Sequence, residues 1–313
     1  MNTITEEIAP GICRLETSLP GIIGTIFSVY FIKDKNTVII EPGPAALIPA
    51  IRKALKELSL HDPAYIIPTH IHLDHGGGLG ELMQLFPQAK AVLNQQGAKH
   101  AIDPSRLIAS TKMAFGADFE DVYGKIIPVP QSRIEIIRDD STLSIGDRDL
   151  TFIDTPGHAP HHIAIFDTMT KGLFCGEALG LIYKPGAPPL PATAPPSFDP
   201  DIYIKNMLRL RELKPELLFY SHGGVEHEPE KTIAAVIENT KMFGEAVLGA
   251  LKTERTEQAV IEYIGEFVNT RFGFEMEEYE LGSNVRRTCI ISKRKASAHY
   301  RSNSLMGKTS VIL

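Results

Sequence analysis

The sequence contains three cysteines, Cys13, Cys175 and Cys289, and no Cys-x-x-Cys pair. An odd number of widely spaced thiols favours reduced cysteines in a cytoplasmic setting over a disulfide framework. Cys175 falls in a strand-like run with no base beside it, so it is expected to pack rather than react. No apolar run reaches the ~20 residues of a membrane span. The acidic start, Met1 to Glu7, lacks the basic and apolar regions of a signal peptide. No membrane partner is therefore expected. Internal repeats, a glycine-rich phosphate loop and a Gly-x-Ser-x-Gly elbow are also missing, which removes nucleotide-loop and serine-elbow chemistry. Positive charge is in short supply, with 32 Lys and Arg against 38 Asp and Glu and a net charge of -6. That balance argues against a nucleic-acid partner.

What is present is an ordinary globular composition, 43% hydrophobic and 22% charged, over 313 residues. This accommodates one large domain with an extension. Short apolar runs at Ile12 to Leu15, Ile26 to Ile32 and Thr37 to Ile40 read as strands, with a hairpin turn at Lys33 to Asn36. Leu47, Ile51, Ala54, Leu55 and Leu58 then repeat at helical spacing, and Tyr65 to Ile67 reads as a buried strand. Leu79, Leu82, Met83 and Phe86 mark another helix and Ala91 to Leu93 another strand; residues 95 to 116 read as a helical insertion. β-character returns at Ile126 to Val129, Ile134 to Ile137, Leu150 to Ile153, Ile163 to Phe166, Gly172 to Cys175 and Leu217 to Tyr220. Asp199-Pro200 opens a helix between the last two. This alternation predicts a layered α/β architecture. Two further helices are expected within 229 to 270, a third segment from Glu275 to Ile291, and a polar, basic tail from Lys293 to Leu313.

The chemistry concentrates at Thr69-His70-Ile71-His72-Leu73-Asp74-His75, followed by Gly76-Gly77-Gly78. Alternate residues of an extended segment share a face, so His70 and His72 can address one metal ion. Asp74 and His75, past the bend, can serve a second, and Zn, Fe or Mn suits such nitrogen and carboxylate donors. A second turn, Asp154-Thr155-Pro156-Gly157-His158, holds His158 at a strand end. His161 and His162 follow as groups behind the ligands or on the surface, with His162 the better placed to orient one. His100 and His227 read as packing or surface residues. Leu181 to Pro200 carries seven prolines and is stiff and extended, either a linker or a wall of a substrate pocket. Tyr183 lies within it, six residues past Glu177. Its phenol is a candidate donor to a developing oxyanion, against the simpler reading of a loop aromatic.

The stretch His-x-His-x-Asp-His, with Thr-Pro-Gly-His and the strand-end residues Glu177 and His222, resembles the metallo-β-lactamase superfamily. Within it, the chain looks most like the glyoxalase II and lactonase branch. The resemblance covers roughly residues 8 to 224 and implies a four-layer αββα sandwich, with residues 1–228 as catalytic domain and 229–313 as a helical extension. It implies His158 as the third histidine on the first metal and His222 as the last ligand of the second. At the station where the family carries a bridging aspartate the chain has Glu177, one methylene longer. Bridging, ligation of one metal only, and a weakened site all remain open there.

The implied cofactors are two divalent ions, zinc foremost, with iron or manganese as alternatives. The implied activity is attack by a metal-bound hydroxide on a small ester, thioester or lactone, Asp74 holding or receiving a proton. Two other readings stand beside it: a mononuclear iron sulfur dioxygenase, and a non-catalytic binding protein of the same fold. The expected partner is a small-molecule substrate, and the helical extension could serve packing, the cleft or a homodimer contact.

Overall fold

In the computed structural model, residues 3–20, 25–183, 186–193, 198–252 and 256–273 are described. The expected segment Glu275 to Ile291 and the tail beyond it lie outside them. The first sheet runs in sequence order through β1 (Ile4–Ala9), β2 (Ile12–Thr17), β3 (Phe27–Ile32), β4 (Val38–Ile40), β5 (Tyr65–Ile67), β6 (Lys90–Asn94) and β7 (Ile134–Ile137). The second contains β8 (Thr142–Ser144), β9 (Asp149–Asp154), β10 (Ile163–Asp167), β11 (Gly172–Gly176), β12 (Leu217–Tyr220) and β13 (Val225–Glu226). Strands β4 to β7 are parallel, as are β11 and β12, and the remaining neighbours are antiparallel. Parallel pairs need crossovers, and helices supply several of them on the outer faces.

The apolar side chains explain the layering. Tyr30, Ile32, Val38, Ile40, Ile67 and Val92 point from the first sheet into one cluster with Phe152, Ile163, Phe174 and Phe219 of the second. Each such buried side chain contributes about 1.5–3 kcal/mol relative to exposure, so the facing sheets form the central core. The opposite face of the first sheet takes Ile48, Ile51, Ala54 and Leu55 of the helix Ile48–Glu57, and Leu79, Leu82 and Met83 of Leu79–Leu85. The outer face of the second is covered by Tyr203, Met207 and Leu210 of the helix Pro200–Glu212, whose Asp199 cap accepts from the N–H groups of Asp201 and Ile202. The architecture is thus an αββα sandwich. The helix Pro229–Leu251 shares this outer cluster through Ile233, Val236 and Ile237, while its second half packs Phe243 and Val247 against Val260, Ile264 and Val268 of Glu257–Phe272. The candidate extension therefore begins inside the packing of the second sheet.

Two local expectations differ from the structure. Ile126 to Val129 is not a strand: Pro128 and Pro130 supply no N–H, and Val129 instead donates to the carbonyl of Ala101 at 2.8 Å. Strand β1 has no full counterpart in the reading above, because Thr5, Glu6 and Glu7 break its apolar content and the sheet edge leaves it largely exposed.

The loops at the C-terminal ends of β4, β5, β9, β11 and β12 converge at one edge of the sandwich. Two backbone bonds stitch the sheets there, Ile163 N–H to Thr69 O at 2.8 Å and Ser28 N–H to Ser221 O at 2.9 Å. Glycines make two of the turns possible. Gly157 has φ +131°, and a Cβ there would lie 2.7 Å from Tyr203 Cα. At Gly176, with φ +53°, a Cβ would lie 2.5 Å from Thr69 Oγ1 and 2.6 Å from His162 Nε2. Only glycine meets both demands.

Candidate metal centre

Pro68 follows β5, and the chain bends at Thr69 and His70 and reaches His72 (φ -58°, ψ 156°) before the short helix Leu73–Gly76 turns Asp74 and His75 inward. The backbone thereby points His70 and His72 to one place and Asp74 and His75 to an adjacent one.

His70 Nε2 lies 2.9 Å from His72 Nδ1, which lies 3.1 Å from His158 Nε2. Glu177 Oε2 closes this first group at 2.7 Å from His158 Nε2 and 3.4 Å from His70 Nε2. In the second group, Asp74 Oδ2 is 3.4 Å from both His75 Nε2 and His222 Nε2. Glu177 Oε2 also stands 3.6 Å from His75 Nε2, so a single oxygen borders both groups. The longer side chain of glutamate reaches the place between them.

A support stands behind most of these imidazoles. His158 Nδ1 donates to Ala192 O and His222 Nδ1 to Ile26 O, each at 2.9 Å. His75 Nδ1 donates to Glu41, and His70 Nδ1 lies 3.1 Å from Thr69 Oγ1. Each outer bond fixes its ring so that the inner nitrogen faces the cluster. His162 is fully buried; Nδ1 pairs with Thr155 Oγ1 at 2.7 Å and Nε2 accepts from the Glu177 backbone N–H at 3.1 Å. It orients the residue between the groups rather than joining either. His161 lies behind Ile71, Nδ1 accepting its N–H at 3.4 Å, and burial pushes it down to about 2. His100 stands beside His161, its ring centroid 5.9 Å away, and His227 is exposed.

Tyr183 is half-buried, with its ring against the cluster of Leu190, Phe243 and Val247. Cys175 is fully buried, its Sγ–H directed at Phe219 O, and burial raises its pKa.

Glu41 carries a role that the linear reading missed. It sits just past β4 with φ +57°, buried, where one carboxylate oxygen accepts the Thr69 N–H at 2.5 Å and the other accepts His75 Nδ1–H. Burial opposes its charge, but His75 beside it prevails and lowers its pKa. The available signal was a lone carboxylate closing an apolar strand, Val38-Ile39-Ile40-Glu41. Replacing Glu41 by Gln is expected to weaken zinc binding by roughly 10- to 100-fold, as loss of an outer carboxylate does elsewhere. Competition with a chromophoric chelator would measure it, and unchanged affinity would remove Glu41 from the site.

The donor set fits a cation. His75 Nε2 and His222 Nε2 are buried without a hydrogen-bond partner, a condition that costs free energy in a folded protein unless something binds there. Donors about 2.0–2.1 Å from a tetrahedral ion stand about 3.3 Å from one another. The separations given above within the two groups, 2.7 to 3.4 Å, approach that spacing. His70, His72, His158 and Glu177 form one potential cation site and Asp74, His75 and His222 another.

Comparison with known proteins agrees with this geometry. A 29% identical stretch of 197 residues, 61% of this chain and 70% of the relative, aligns with the metallo-beta-lactamase fold-containing protein ST1585 of Sulfurisphaera tokodaii. A hydroxyacylglutathione hydrolase of Tolumonas auensis is 31% identical over 157 residues, which span 48% of this chain and 46% of that enzyme. The crystal structure of an archaeal metallo-beta-lactamase superfamily protein from Sulfolobus tokodaii superposes with TM-score 0.60 at 26% identity, covering 74% of this chain and 86% of that one. A metallo-beta-lactamase family protein of Thermus thermophilus shares the fold over 92% of this chain and 95% of its own, with TM-score 0.68 at 18% identity. The metallo-beta-lactamase superfamily model matches residues 24–222, which contain every member of both side-chain groups, and the chain belongs to that superfamily of mostly hydrolytic metalloenzymes.

Proposed function

We propose that the protein is a hydrolase that uses two divalent ions, zinc foremost, to cleave a small ester, thioester or lactone. His70, His72 and His158 would hold one ion, Asp74, His75 and His222 the other, with Glu177 shared. Ions bound there supply Lewis acidity and lower the pKa of water toward about 7. The observation that carries the reading is the position of Glu177 Oε2, within 3.6 Å of both histidine groups.

The chain's own residues do the rest. Glu177 stays ionised: burial opposes its charge, and His158 overcomes that and lowers its pKa. Asp74 also remains a carboxylate against burial, because His75 and His222 flank it. Its side chain is 34% exposed, which leaves it able to hold or receive a proton at the mouth of the site. Tyr183 is the proposed hydrogen-bond donor to the oxyanion.

Several relatives are named hydroxyacylglutathione hydrolases, so thioesters head the substrate panel. The test is elemental analysis of protein purified without added metal, then assay of thioesters, lactones and esters. Two ions per chain and turnover of one class support the reading. One iron per chain with oxygen uptake on persulfides replaces it with the dioxygenase. Sites that stay empty after metal loading, with no turnover, leave a binding protein.

A further inference from the structure

We propose that the hydroxyl of Tyr203 is the positioning group that sets Glu177 and His158 together from behind the site. This rests on the metal-dependent reading above. Tyr203 is fully buried on the helix Pro200–Glu212. Its hydroxyl donates to the backbone carbonyl of Glu177 and accepts from the N–H groups of Gly180 at 2.9 Å and Ala192 at 3.4 Å. Ala192 in turn presents its carbonyl to His158 Nδ1 at 2.9 Å. One oxygen atom therefore anchors both the residue whose carboxylate borders the two groups and the segment that aims the His158 imidazole.

The chemistry requires a hydroxyl. One carbonyl and two N–H groups converge on it, matching its single proton and two lone pairs. Phenylalanine would fill the volume and leave those groups short of a partner. Burial raises the pKa of the phenol, which keeps that proton in place.

The same helix steadies the preceding turn. The Tyr203 backbone fills the space beside Gly157, and Asn206 Nδ2 donates to Pro156 O. On the far side, the segment that carries Ala192 is held by Asn239, whose Nδ2 donates to Pro189 O at 2.9 Å, and by paired backbone bonds between Leu181 and Leu190. Asn239 thus reaches His158 through the Ala192 segment, whereas Tyr203 bonds directly to the Glu177 carbonyl as well as to that segment.

The test is zinc binding to the full-length chain by chelator competition, with the visible spectrum of the Co²⁺-loaded protein as second readout. Tyr203→Phe is expected to lose roughly 10- to 100-fold in zinc affinity and to alter the cobalt bands, with unchanged far-ultraviolet circular dichroism. Asn239→Leu, which leaves the Tyr203 hydroxyl and its bond to Glu177 in place, should cost less zinc affinity than Tyr203→Phe. Asp167→Asn, which disrupts the buried pair with Arg148 at the other end of β10, serves as a destabilised reference and should bind zinc normally. Wild-type affinity in Tyr203→Phe, or an equal loss in Asp167→Asn, reduces Tyr203 to a structural residue and overturns the proposal. If the wild-type chain itself takes up no divalent ion, the metal reading fails first and this assignment falls with it.

Discussion

His158→Ala is expected to abolish stoichiometric metal binding at the first group and to lower turnover by at least about a thousandfold. The Lewis-acid contribution to such reactions is several kcal/mol, and each 1.36 kcal/mol is a factor of ten in rate. His158 is more than one donor among three. Its Nε2 is the nearest histidine nitrogen to Glu177 Oε2, at 2.7 Å, and it is the largest influence keeping that buried carboxyl ionised. Alanine removes a ligand and leaves the carboxylate beside a cavity. His161→Ala is the matched control, since His161 contacts the Ile71 backbone and neither ion group includes it. Elemental analysis after dialysis, together with the rate on whichever substrate the panel identifies, gives the answer. Full activity in His158→Ala would refute the ligand assignment; equal losses in both variants would point to a general disturbance of the loop.

How much of this was legible in the sequence depends on whether the partners lie close along the chain. His70 to His75 form a contiguous pattern, so the stereochemistry of an extended segment and a bend suffices to group them. His158 was marked by Pro156-Gly157, a turn with few conformational alternatives, and the requirement for glycine has a cause in the Tyr203 backbone behind it. Glu41 was illegible for the opposite reason: its partners Thr69 and His75 are 28 and 34 positions away, and a lone acid beside Pro42 and Gly43 reads as turn chemistry. Tyr203 was still less visible, because its hydroxyl meets only backbone groups, which no motif records. The layered fold was legible from the alternation of apolar runs and from the resemblance. Edge strand β1 and the proline-bearing stretch at Ile126 failed because sheet membership there is decided by hydrogen-bonding neighbours, not by apolar content.

The two groups differ electrostatically, and this leads to a result that separates them. His70 and His72 are held below the ordinary histidine range, first by burial and then by neighbouring imidazoles, His72 at about 4. They are neutral at pH 7 and ready to coordinate. His75 and His222 lie above that range although burial lowers both, because Asp74 flanks each and Glu41 adds to His75. Both shifts favour the protonated ring in the metal-free chain, a contribution to the fold that is full below pH about 6.5, the unfolded value, and is lost as pH rises through the raised folded values. Coordination requires them neutral, so an ion entering the second group must displace their protons. Zinc titration calorimetry at pH 7 in buffers of different ionisation enthalpy is expected to resolve one ion that releases no proton from His70 or His72 and another that releases up to two. As the pH falls, the affinity of the second ion should drop about tenfold per unit for each proton released, while protonation of His70 and His72 adds no such penalty near neutral pH. On acidification the protein should pass through a one-ion form. Loss of both ions together, with one pH dependence, would mean that the shared Glu177 couples them more strongly than their separate protons divide them.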